Sequence, residues 1–157
     1  MSLKTLKKIR YLKIGKKEYD LLEIVGIDED NLDIEFRDHP ETVLFWFRLK
    51  AREAAHLRRL EDDLETVRRV RFKQYWELYE SERGTSSFSD SLIWAEVHND
   101  DEVAKARKEV RLAKTKFEAV KAVCDAMEHR KSSLINLGAL QRRDEELSIR
   151  RNRSGED

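Results

Sequence analysis

Four cations stand within six residues, Arg68, Arg69, Arg71 and Lys73, and four rings, Phe72, Tyr75, Trp76 and Tyr79, are interleaved with them and follow on. Such a stretch offers ionic contact and stacking, not bond-making. On a helix the rings share one face and the cations spread over the neighbouring surface. Two readings follow. In the first, the rings are a core patch and the cations extend their aliphatic stems over it. In the second, Arg68, Arg69, Arg71, Lys73 and Tyr75 form a surface for single-stranded nucleic acid. Grooves of that kind combine backbone cations with stacking rings, each worth about 1–3 kcal/mol per base. No acid lies between the four cations, which is dense for a solvated face, and residue chemistry leaves both readings open.

Other reactive groups are isolated. The five glycines (Gly15, Gly26, Gly84, Gly138, Gly155) lie too far apart for a phosphate-binding loop or a dinucleotide fingerprint. His39, His56, His98 and His129 pair neither with one another nor with Cys124 at metal-ligand spacing. The run from His98 to Glu102 reads better as a helix cap than as a cation site, and Asp62 and Asp63 fall on an outer helix face. The expectation is a protein that is not an enzyme and uses no cofactor or metal.

The elements that must carry the basic and aromatic stretch are helical. Charged residues make up 41% of the 157, with one proline, so long helices are expected. Pro40, between Asp38 and Glu41, is a helix-start signal. From Glu41 to Arg83 there is no further Gly or Pro, and Ala54, Leu57, Leu60, Leu64 and Val67 mark one buried face. Gly84–Asp90 is a break, a short helix follows over about Ser89–Val97, and Asn99 with Glu102 resembles a capping box. Val103, Ala106, Val110, Ala113, Phe117, Val120, Cys124 and Met127 then recur at strict alternating spacings of three and four. That stripe predicts a coiled-coil-like seam, with Cys124 as a small buried hydrophobe. Ser132 and Ser133 are expected to interrupt it, with a last short helix at Leu134, Leu137 and Leu140.

Narrow stripes on long helices bury little in one chain, so the seam is expected to join protomers of a homo-oligomer. The fold class is therefore all-α, an elongated helical hairpin or bundle with a coiled-coil-like seam. In linear terms it divides into a basic arm (1–17), an acidic, loosely packed lead-in (18–40), a helical domain (41–143) and a polar tail (144–157).

Net charge is zero but strongly patterned. Residues 1–17 hold seven cations and no acid, and residues 18–41 hold ten acids and one cation. Residues 48–73 carry nine cations, 74–102 eight acids, and 103–131 nine cations again. Opposite blocks invite pairing between segments and leave local landing places for anions. One cysteine excludes an internal disulfide. No apolar run reaches the roughly 20 residues of a membrane span, the Lys-rich start lacks an apolar signal core, and the expected location is a cytosol.

The order of these blocks resembles the UvsY-type phage recombination mediators over roughly residues 20–143. The matching positions are Ile27-Asp28-Glu29, Asn31-Leu32-Asp33, Pro40, Ala51-Arg52-Glu53-Ala54, Leu57, Leu60-Glu61, Lys73 and Trp76 through Tyr79, with Arg130, Leu134 and Asn136 near the end. The family glycine after the aromatic pair is displaced to Gly84, the C-terminal aromatics are absent at Ser132 and Leu140, and the basic arm is an addition. The resemblance implies a non-enzymatic, all-helical ring of six or seven subunits that binds single-stranded DNA. It further implies loading of a RecA-like recombinase onto DNA coated by single-strand-binding protein, in the cytoplasm of an infected bacterial host. The alternative is a helical scaffold or adaptor that joins proteins through its seam and touches no DNA.

Overall fold

Helix-favouring composition with one proline yields two very long helices. The computed structural model describes residues 10–14, 16–83 and 88–154. Strands β1 (Tyr11–Ile14) and β2 (Lys17–Asp20) lead into α1 (Leu21–Val25), a 3-10 turn (Glu29–Asn31), α2 (Leu32–Arg83), α3 (Asp90–Asn99) and α4 (Asp101–Ser154). The chain is all-α apart from this hairpin. Its contacts group it into two compact units, Met1–Lys50 with Ala119–Asp157, and Ala51–Glu118. This division cuts across the linear one expected from composition.

The first unit holds more structure than a basic arm and a loose lead-in. β1 and β2 pair antiparallel, Leu12 opposite Tyr19 and Lys13 opposite Glu18, which sets a cation across from an acid. Arg10 closes the hairpin on Asp20 at 2.9 Å, and Asp20 also accepts the Leu22 backbone N–H at 3.0 Å, capping α1. Residues 1–9, the rest of the expected arm, lie outside the described residues.

α2 begins eight residues before Pro40. Asp28 accepts the Asp30 N–H at 3.1 Å and the Asn31 amide at 2.8 Å, and its own N–H donates to Glu35 at 3.1 Å. Asp33 and Glu35 then complement the positive helix start. Pro40 sits inside the helix, where it costs one backbone hydrogen bond and does not end it.

The core of this unit gathers Trp46 and Leu49 of α2, Leu12, Leu21 and, from α4, Ala119, Val120, Ala122, Val123, Cys124 and Met127. Tyr19, Phe45 and Trp46 pack ring against ring at 5.5–5.9 Å. Burial on nearly consecutive positions of α4 is wider than a heptad seam, because the hairpin and α1 pack onto the cluster alongside α2. Burial pushes the Cys124 thiol above its usual range, which suits a core residue.

Further along, Arg130 is buried and serves three partners. Its Nε donates to the Gly26 carbonyl at 2.9 Å, one Nη meets His39 Nδ1 at 2.8 Å, and the other pairs with Glu35. Neither Ser132 nor Ser133 breaks α4: the Ser132 hydroxyl turns back to the Glu128 carbonyl at 3.5 Å and the helix continues. The Phe36 ring lies close over Gly138, where a Cβ would stand 2.9 Å from it and oblige the ring to shift. The expected polar tail is helical as far as Ser154.

In the second unit Ile93, Val97 and Val103 form a small core under Leu64, Val67, Phe72, Tyr75, Trp76, Tyr79 and Phe88. Glu53 is buried there between Lys116 at 3.0 Å and Arg52 at 3.1 Å. Burial works to raise its carboxyl, the two cations outweigh it, and the net shift is downward.

Much of the α4 stripe is buried within one chain. Val103, Val120, Cys124 and Met127 have no exposed area and Ala113 is 7% exposed, while Ala106, Val110 and Phe117 are half-buried. Five of the eight positions of the expected seam are therefore buried without a second copy.

Candidate functional site

The basic and aromatic stretch lies on α2 within the second unit, facing α3 and the start of α4. Its rings fall on the side that packs: Trp76 meets Phe88 at 5.0 Å, Tyr79 meets Phe88 at 5.7 Å, and Phe72 lies between Trp76 at 6.0 Å and Trp94 at 4.6 Å. The core reading therefore holds for most of the rings.

The five residues singled out from sequence divide into two groups. Arg71 and Tyr75 are committed to Asp100. That residue, rather than Asn99, caps α4, accepting the Glu102 N–H at 2.9 Å and the Val103 N–H at 3.2 Å. The Tyr75 hydroxyl donates to it at 3.0 Å, and Arg71 reaches it at 3.5 Å while also pairing with Glu102. Burial works to raise the Asp100 carboxyl, but the Val103 N–H, the Tyr75 hydroxyl, the Glu102 N–H and Arg71 together bring it below the usual range. The bond to Asp100 in turn raises the Tyr75 hydroxyl above its ordinary value, and burial adds to this.

Arg69 and Lys73 form the second group. They stand one turn apart, with side chains 77% and 78% exposed. Each has an acid beside it, Glu65 at 3.4 Å for Arg69 and Glu77 at 3.6 Å for Lys73. The acids missing between the cations in sequence thus come from one helical turn before and after. Exposed pairs of this kind are weak and yield readily to a polyanion.

Arg68 stands between the groups. It reaches Glu65 at 3.3 Å, its guanidinium lies over the Trp94 ring at 5.4 Å, and its Nε is buried with no hydrogen-bond partner. Trp94, on α3, escaped the sequence reading although it is 39% exposed. The signal was its place beside Ile93 and one turn before His98, off the Ile93–Val97 stripe that α3 buries.

No helix of the described residues is long and apolar enough to cross a membrane. No family model matches the chain, and no curated protein does. Among solved structures it is similar to the crystal structure of the bacteriophage T4 recombination mediator protein UvsY, with a TM-score of 0.65 and 14% identity. The likeness covers 92% of this chain and 99% of that one, so the fold seen here is UvsY-like over most of its length.

Proposed function

We propose that this chain is a recombination mediator that binds single-stranded DNA without sequence preference. It promotes loading of a RecA-like strand-exchange protein onto DNA coated by single-strand-binding protein, in phage recombination, repair and replication. On this reading it acts in the cytoplasm of an infected bacterial host, uses no cofactor and catalyses no reaction. The observation that carries the reading is the near full-length likeness in fold to a recombination mediator, in a chain with Arg69 and Lys73 open on α2.

The reading includes a ring of six or seven copies. Ile34, Phe36, Leu44 and Phe47 on α2 and Ile135, Leu140 and Ile149 on α4 are each at least 38% exposed. Apolar exposure on this scale supports contact with further copies. Repeating a modest basic patch around a ring gives avidity that one protomer lacks. Mediation is then a competition: the ring holds the strand, weakens the coating protein's grip and offers the recombinase a place to nucleate.

The test is retention of single-stranded and duplex DNA across a salt series, with mass measured in solution. Binding should favour single strands and weaken with a logarithmic slope of about 0.7 per phosphate neutralised. Salt-insensitive binding or a preference for duplex would overturn the reading. One observation favours the scaffold alternative: Arg69 and Lys73 each have a carboxylate at hand. A scaffold would bind neither DNA at low salt.

A further inference from the structure

We propose that Trp94 is a stacking platform for one base of a single strand, with Arg68 as its movable cover; this rests on the DNA-binding reading above. The three tryptophans have different surroundings. Trp46 is 1% exposed, Trp76 is half-buried between Phe72 and Phe88, and Trp94 is 39% exposed. Trp94 is nonetheless held in place, with Phe72 against it at 4.6 Å and the Arg68 guanidinium over it at 5.4 Å. A fixed, open indole loses little conformational freedom when a base stacks on it, and stacking of this kind tolerates any base.

Arg68 is lightly held. Its carboxylate partner, Glu65, is shared with Arg69, and its Nε has no partner. A phosphate recruits such a guanidinium with stronger, bidentate hydrogen bonds, which uncovers the ring face it occupied. Arg69, exposed on the next position, supplies a second phosphate contact. Glu65 is the acid paired with Arg68, and Asp90 lies one turn before Trp94 on α3. Tyr75, the ring first considered for this role, is tied by its hydroxyl to Asp100.

The experiment titrates the full chain with oligo(dT) at low salt, following tryptophan fluorescence and, separately, anisotropy of a labelled oligonucleotide. The parent and Trp76→Phe proteins should be quenched on binding. Trp94→Phe should keep affinity within about threefold, since a ring remains to stack on, but lose the quenching. Trp94→Ala should bind at least about fivefold more weakly. Unchanged affinity in Trp94→Ala together with undiminished quenching in Trp94→Phe would overturn the platform and leave the DNA-binding reading standing. Failure of the parent protein to bind oligo(dT) would overturn both. Because Trp94→Phe preserves the packing against Phe72, the quenching result stands even where Trp94→Ala disturbs the fold.

Discussion

Each unit of the molecule has a polar joint between segments far apart in sequence, and the two joints treat charge differently. In the first unit Arg130 is 8% exposed and joins α4 to the Gly26 carbonyl, to part-buried Glu35 and to buried His39. In the second, Asp100 is held by Arg71 and Tyr75 while Arg68, Arg69 and Lys73 stay at the surface beside weak partners. A cation's neighbours in space, rather than its place in a basic run, decide whether it is free to meet a ligand. Arg71 is spent on a joint; Arg69, two positions earlier, is not.

The largest effect should come from breaking the first joint. Arg130→Ala leaves part-buried Glu35 and the Gly26 carbonyl without their partner, and removing one member of a fully buried ion pair costs about 3–5 kcal/mol, so the loss here should approach about 3 kcal/mol. Denaturant unfolding should show that loss, and a variant as stable as the parent would mean the joint is wet and dispensable.

Next comes Asp100→Ala. It removes the α4 cap, worth about 0.5–2 kcal/mol, and strands the Tyr75 hydroxyl, while Arg71 keeps Glu102 and Gln74. The same unfolding measurement should register a drop of about 2 kcal/mol. Because Arg71 stays paired with Glu102, single-stranded DNA binding should change little, which would sharpen the contrast between a structural and an available cation.

The pH response separates the joints further. Burial first, then the charge of Arg130 and more weakly of Lys131, lowers the His39 pKa, against the pull of Glu35. The folded state therefore prefers neutral His39, and the unfolded state binds its proton at higher pH. Stability from this site is fully present above about pH 6.5, the ordinary histidine value, and is lost as pH falls through His39's lowered value. The Asp100 joint, whose carboxyl is also lowered, should hold until the carboxylate range. A stability profile with a first decline below neutrality that His39→Gln removes would bear this out; a flat profile down to the carboxylate range would not.

The smallest effect concerns Glu65, which competes with DNA for Arg68 and Arg69. Glu65→Gln should strengthen single-stranded DNA binding by about two- to fivefold, the scale of exposed ion pairs. Weaker binding in an anisotropy titration would show that Glu65 positions the arginines for the strand.

Local chemistry carried much of the architecture. The unbroken run after Pro40 as far as Arg83, the short helix after Ser89 and the strict stripe from Val103 to Met127 were all legible, because helix periodicity and breakers act over one or two turns; the expected break at Gly84 lies outside the described residues. The four cations and the packed rings were legible for the same reason. The hairpin was not, since two four-residue strands are defined by partners across the turn and by a core to sit on. Nor was the start of α2 at Leu32, where Asp28 and Glu35 supply the cap that overrides the signal at Pro40. The width of burial at Ala119–Cys124 depended on the hairpin and α1 packing beside α2. The roles of Arg71, Tyr75, Arg130 and Trp94 depended on groups from 22 to over 100 positions away. Sequence alone determined the helical runs after Pro40, after Ser89 and from Val103 to Met127 and where charge accumulates; tertiary contact decided how far those helices extend and which cations and rings are consumed by the fold, because partnership and burial are properties of neighbours that chain proximity does not supply.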